Sequence, residues 1–211
     1  MEKDGKLAAS PWGYTETISK ILDAALDVFG TKGFDAASMG DVAHAASVSK
    51  QLIYHYFEGK HDLYAVVLAH LAQNNYNALL AIDFEGLAPA EALRASFLAL
   101  FDSFARNRFA ANITIDQALH AGALIKRDRK ADELRRQFFD RFGGAVERGK
   151  KAGHIADDAD AISAHILATV LIIGRFSIWP MLVQYMKSDE MPEHDQFRTK
   201  VADYYVKALR P

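Results

Sequence analysis

Residues 38–64 read SMGDVAHAASVSKQLIYHYFEGKHDLY, and this stretch decides the fold. Ser38 is a good N-cap with Asp41 three residues on, the start of a short helix whose Met39, Val42 and Ala43 would face inward. A few residues later Ser49 opens a second short helix that ends near Phe57. On a cylinder turning about 100° per residue, Ile53 and Phe57 lie one turn apart, on the side that also reaches Val48. Lys50, Gln51, Tyr54 and His55 form a second stripe, and Leu52 and Tyr56 sit between the two. The outward side chains are hydrogen-bonding or flat groups, suited to phosphates and base edges. Two helices of about two turns each, closely joined and following a longer one, are a helix-turn-helix in outline.

The flanks agree. Before the motif, Ile18, Ile21, Leu22, Ala25 and Phe29 recur as one apolar helical stripe. Gly30 and Gly33 are expected to end that helix. After the motif a fourth helix begins near residues 59–61 and runs through LYAVVLAHLAQNNYNALLAI. Residues 81–91, AIDFEGLAPAE, read as a linker with Gly86 and Pro89 as breakers. Helical periodicity then predicts segments near 90–107, 112–125, 130–152, 159–186 and 193–209, with Gly153 as a C-cap and the acids of 157–160 at a helix start. Strand-like alternation with hairpin turns is absent, so the fold class is all-α.

Composition bounds the chemistry. The 211 residues are 50% hydrophobic and 25% charged, close to a globular average, with a net charge of −2. There are no cysteines, which removes disulfides, thiolate catalysis and Cys-ligated zinc. The polar first residues show no secretory signal, so the cytoplasm is the expected compartment. Residues 162–179, ISAHILATVLIIGRFSIW, are long and apolar but carry His165 and Arg175 and run into Pro180. A core or oligomer helix is therefore expected rather than a membrane span. No Gly-rich phosphate loop, nucleophile elbow or His-Glu-x-x-His motif is present. His61-Asp62 and His194-Asp195 are sequence neighbours that point about 100° apart on a helix. No catalytic residue, metal site or cofactor is expected.

Residues 12–64 resemble the N-terminal domain of TetR-family (tetracycline-repressor-like) transcriptional regulators. The matching pieces are I-x-x-A-A-L-D-V-F at 21–29, Gly33-Phe34, S-M-x-D-V-A at 38–43 and, most specifically, V-S-K-Q-L-I-Y-H-Y-F-E-G-K at 48–60, then Leu63. The resemblance implies a helix-turn-helix DNA-binding domain over 1–64 and a helical effector-binding and dimerisation domain over 65–211. It implies a ligand-responsive repressor, a homodimer through the last two helices that is released from a palindromic double-stranded DNA operator by a small, largely apolar effector. The recognition helix would be 49–56. By position, Lys50, Gln51 and Leu52 match its N-terminal contacts, Tyr54 the tyrosine that meets backbone phosphate, and His55 and Tyr56 the remaining contacts. Lys60 matches a phosphate-touching lysine, and Ser38 and Met39 the cap over the DNA backbone.

Two departures stand out. The turn has Ser47 where the family often has glycine; serine is tolerated in turns. Residues 1–62 hold six lysines, no arginine and a larger number of acids. Such a domain releases few counterions, so a shallow salt dependence is expected. Leu52 is open between a thymine methyl and packing inside the chain.

In the second half, Phe97, Phe101 and Phe104 share one face, Phe138 and Phe142 pair, and Phe176 and Trp179 form a third group. Such stripes are ordinary core more often than a ligand box. The polar groups within apolar helices are Gln117, His120, His165, Thr169 and Arg175. With Phe101, Phe104, Phe138, Phe142, Phe176 and Trp179 they are the candidate effector residues, and Arg175 in a pocket would favour an acid. The alternative function is a helical protein-interaction module that has lost sequence-specific DNA binding, which the acidic first domain favours.

Overall fold

The computed structural model describes residues 15–107, 109–125, 128–186 and 193–211. Among them there are helices and no strands. The chain divides into two compact units. The first holds residues up to 70 together with 112–126, and the second holds 71–111 and 127–211.

In the first unit, α1 (Glu16–Ala36) starts at Thr15, whose hydroxyl accepts from the Ile18 amide. The predicted stripe is buried at Ile21, Leu22, Ala25 and Phe29, while Ile18 is half-buried. The helix kinks at Gly33 (φ 75°), a left-handed conformation that glycine adopts without a steric penalty. A Cβ there would sit 3.2 Å from the Asp116 carboxylate.

The helices α2 (Met39–Ala46) and α3 (Lys50–Tyr56) follow; α1 packs on α2 and α2 on α3. Ser38 and Asp41 form the full reciprocal capping box at the start of α2. Lys32 of α1 adds an ion pair to Asp41 at 2.7 Å. That ammonium contact, then the Ser38 hydrogen bonds, hold the Asp41 pKa down at about 2. Ser49 caps α3, accepting from the Leu52 amide.

The turn between them is made by Ser47 at φ 53° and ψ 44°, whose N–H closes on Ala43 and His44 carbonyls. The expected turn is formed, but with an L side chain in the left-handed region, at a cost of about 1 kcal/mol.

The helix α4 (Lys60–Leu80) contributes residues to both units. The helix α6 (Ala110–Leu119) ends earlier than the 112–125 expected from periodicity. Ala121 (φ 48°) and Gly122 (φ 73°) both take left-handed backbone, which the helical repeat does not survive.

The second unit is built on α5 (Pro89–Arg106), α7 (Arg129–Lys151), α8 (Ala161–Ile173) and α10 (His194–Ala208). The helix α5 packs on α7, α8 and α10. Its core holds Phe84, Phe97, Phe101, Phe138, Phe142, Ile172 and Tyr205, all essentially without solvent access. Asp160 caps α8 and Gly153 (φ 70°) closes the end of α7, both as expected.

The predicted helix 159–186 is interrupted. After α8 comes a π-helical turn, Gly174–Ile178, and then α9 (Trp179–Tyr185). Pro180 has no N–H, and its ring clashes with the carbonyl four residues back, so a wider turn just before it relieves the conflict.

Within Ala161–Tyr185 an 18-residue window reaches a mean hydropathy of 2.0, enough by length and composition alone to cross a membrane. One side of this segment, Ala164, Ala168 and Ile172, belongs to the core of the second unit, and the opposite side is exposed at Ile162, Ile166 and Val170.

Replacing Ser47 with glycine removes the left-handed penalty. We expect S47G to raise unfolding free energy by about 1 kcal/mol, read as a higher urea midpoint at unchanged slope.

Candidate nucleic-acid interface and effector residues

The helix α3 separates its faces as its spacing demands. Ile53 and the following Phe57 are buried, whereas Lys50, Gln51, Tyr54, His55 and Tyr56 face solvent. The Lys50 ammonium lies 5.8 Å from the Tyr54 ring, and His55 and Tyr56 meet edge to face at 5.1 Å. The result is one short helix that presents an ammonium, an amide, an imidazole and two phenols. Leu52 is half-buried between the faces. Ser38 is exposed, but its hydroxyl is engaged in the α2 cap with Asp41. Met39 is buried at 5% exposure, so its side chain belongs to the packing of α2 rather than to an outer surface.

Lys60 behaves differently from the phosphate contact that its position suggests. Its ammonium donates to three backbone carbonyls, those of Phe34 (2.8 Å), Ala37 (3.0 Å) and Asp35 (3.1 Å). An ammonium has three donors, and all three are used. The same group lies over the Phe34 ring at 4.4 Å. Lys60 therefore closes the C-terminal end of α1, where unpaired carbonyls and the negative end of the helix dipole call for a cation.

Beside this closure, Asp116 of α6 accepts from the Phe34 amide (3.2 Å) and, by a short hydrogen bond, from the Tyr64 hydroxyl. Burial and then the Asp116 carboxylate raise the Tyr64 pKa. Asn112 donates to the Gly30 carbonyl at 3.0 Å.

The candidate effector residues do not gather in one place. Gln117 and His120 lie in the first unit. Gln117 is buried. His120 stands 3.4 Å from Asp35 and edge-on to Phe34, and its pKa is raised by its hydrogen bond to the Asp116 carbonyl and by both carboxylates.

The others lie in the second unit, in two groups. Phe138 and Phe142 stack at 5.1 Å against Phe84 and are core. His165 joins them, 5.2 Å from Phe138 and 5.4 Å from Phe139, stacked on Tyr76. The Thr169 hydroxyl donates to the His165 carbonyl of its own helix.

The second group holds Phe101, Phe104, Arg175, Phe176 and Trp179. It also contains Phe197 and His194, which are not among the effector residues expected from the sequence. Phe101 lies 5.2 Å from both Phe176 and His194, and Trp179 lies 5.1 Å from Phe197. Phe197 and His194 sit on α10, more than 90 positions from Phe101, so no local spacing signals them. Among the described residues no group of three or more His, Asp and Glu has metal-site geometry.

Fold and surface together define a helix-turn-helix DNA-binding unit joined to a helical second unit. Family models agree. That of bacterial regulatory proteins of the TetR family matches residues 21–67, and that of the tetracycline-repressor-like C-terminal domain matches 89–202. The chain belongs to the TetR family.

It is 26% identical to the transcriptional repressor NicS of Pseudomonas putida, over 92% of each chain. It is 24% identical to the repressor BepR of Brucella suis, over 78% of this chain and 80% of that one. Among solved structures, a TetR-family regulator of Marinobacter aquaeolei superposes with a TM-score of 0.67 at 20% identity, over 92% of this chain and 95% of its own. The fatty acid degradation regulator FadR of Bacillus halodurans gives 0.66 at 18%, over 92% and 94%.

Two outcomes test this geometry. Lys60→Met leaves three carbonyls at the end of α1 without their donor and should lower unfolding free energy by about 2 kcal/mol, whereas Gln51→Ala leaves it unchanged.

For His165, desolvation among aromatic rings holds the pKa at about 4. The unfolded chain takes up that proton near pH 6.5 and the folded chain only near pH 4. The contribution is complete above about pH 6.5 and is lost as pH falls toward 4, by about 3 kcal/mol. His165→Phe should flatten that part of the urea stability profile between pH 4.5 and 7.

Proposed function

We propose that the protein is a ligand-responsive transcriptional repressor that binds a palindromic operator as a homodimer. The observation that carries this reading is α3, a short helix buried through Ile53 and presenting Lys50, Gln51, Tyr54, His55 and Tyr56 to solvent. Lys50 and Tyr54 would hold backbone phosphates, Gln51 is suited to the paired edge of adenine, and His55 and Tyr56 extend the same face. The naming of NicS and BepR as repressors supports the sign of regulation. The cytoplasm, where an operator lies, is the matching compartment.

Dimerisation would use the exposed apolar side of α8 and α9, with Ile162 (61% exposed), Ile166, Val170, Met181 and Tyr185 (82%), together with Tyr204 of α10. A second copy buries this face isologously and matches a two-fold operator. A small, largely apolar effector held by the second unit would favour the released state, through α4, to which both units contribute. A coupling of about 1–3 kcal/mol gives a 5- to 150-fold change in operator affinity.

Charge sets a further expectation. Residues 1–62 carry nine carboxylates against six lysines, a net charge of −3, with no arginine. Lys32 is paired with Asp41 and Lys60 is turned inward. The log-affinity against log-salt slope should therefore be no steeper than about −7 per dimer.

Selection of bound fragments from a random duplex pool, at low and at near-physiological salt, tests the reading. Enrichment of a palindrome supports it. Tyr54→Ala should then weaken binding evenly across sequences, and Gln51→Ala should relax one base position by about 1–3 kcal/mol. No enrichment at either salt, with folded dimer, would move the acidic first unit to a protein partner instead.

A further inference from the structure

We propose that Arg175 anchors the carboxylate of a planar organic acid, and that this acid is the effector; the second clause rests on the reading of the chain as ligand-responsive.

Five other arginines of the second unit hold a carboxylate, and Arg148 donates to the Phe84 carbonyl. Arg94 pairs with Asp203 at 2.8 Å, Arg141 with Glu85 at 3.0 Å, Arg198 with Asp102 at 2.6 Å, and Arg135 and Arg136 with acids one helical turn away. Among the described residues none pairs with Arg175. Its nearest polar side-chain contact is His194 Nδ1 at 3.5 Å. Its Nε is buried and without a hydrogen-bond partner, and so is the hydroxyl of Ser177 on the same π-helical turn. Buried donors left unpaired in this way are destabilising in the free protein, and that cost is recovered when an acceptor arrives. Burial also lowers the Arg175 pKa, with no carboxylate to oppose it.

The surroundings select the shape of the acceptor. The guanidinium lies over the Trp179 ring at 4.1 Å, with Phe197 at 5.5 Å and Phe176 at 6.0 Å. One planar face is thus covered by indole, which leaves the N–H edge to donate. A carboxylate is the acceptor whose two oxygens match that edge. The flat rings around it suit a flat hydrocarbon body, which stacks with little loss of freedom. The site sits on a π turn, a backbone feature that departs from helical regularity where side chains are presented for use.

Trp179 is also the reporter. The chain has two tryptophans, Trp12 and Trp179. In the full-length Trp12→Phe protein, fluorescence reads the indole against the guanidinium. Benzoate should give a saturable change, with benzamide, its uncharged counterpart, and inorganic phosphate each at least about tenfold weaker. Arg175→Gln in the same background should remove the preference for benzoate over benzamide at unchanged far-UV circular dichroism. Arg175→Lys, which keeps the charge and loses the paired edge, should weaken benzoate about tenfold and serves alone should the Gln variant fail to fold.

Equal binding of benzoate and benzamide, phosphate as good as benzoate, benzoate binding unchanged in the Lys variant, or no saturable response overturns the proposal. Release of the selected operator fragment is measured separately with benzoate. A fragment bound but indifferent to benzoate removes the planar acid as effector and leaves the repressor standing. A benzoate site in a protein that selects no fragment leaves Arg175 as an acid site and removes the repressor.

Discussion

An α-helix ends with carbonyls that have no partner in the helix, and in this protein the end of α1 is where the DNA-facing unit is secured. The Lys60 ammonium reaches across from the start of α4 and takes the carbonyls of Phe34, Asp35 and Ala37. Asp116 holds the Phe34 amide and the Tyr64 hydroxyl beside it. Gly33 supplies the left-handed backbone that brings those carbonyls round. Everything that follows along the chain, from the Ser38 cap to the short α3, starts from that fixed corner. The aromatic packing of Phe29, Phe34 and Tyr64, with ring centroids 4.8–6.3 Å apart, fills the space behind it.

This closure draws on the same small stock of cations that a DNA-binding surface needs. With Lys60 and Lys32 committed inside the unit, the outward face of α3 relies on one ammonium, an amide and flat polar rings. In the proposed role such a face would discriminate by hydrogen-bond pattern and contact more than by bulk attraction, since phosphate neutralisation supplies most non-specific affinity. Sparse positive charge and a well-ordered α3 are two sides of one allocation of lysines.

Much of this was legible in the sequence, because short-range rules govern it. Ser38 with Asp41, and Ser49, are helix starts by residue type and spacing, and each caps its helix. The stripe of α1 and the division of α3 into Ile53 and Phe57 against Lys50, Gln51 and Tyr54 follow from 3.6-residue geometry. What escaped depends on distant parts of the chain. A lysine at a helix start looks the same whether it faces phosphate or the end of another helix; only folding brings the α1 carbonyls to it. Gln117 and His120 read as effector residues because their helix lies beyond the linker, yet α6 joins the first unit. Phe197 and His194 come to Phe101 across more than 90 positions. The periodicity runs one helix through Pro180, whose effect is a widened turn just upstream.

That widened turn has a consequence for the outer side of the same segment. Along α8 the exposed residues Ile162, Ile166 and Val170 recur every fourth position, and a row of this spacing slants around an α-helix rather than running along it. A π turn takes one more residue than an α turn, which rotates the following segment back against the slant. Ile178, eight positions past Val170, thereby returns beneath it, and Met181 and Tyr185 continue the line. The bulge at Gly174–Ile178 thus re-phases the helix. It keeps a single seam of large apolar side chains in register over the 25 residues from Ala161 to Tyr185, a length that an unbroken helix would have spent winding the seam out of reach of any flat partner.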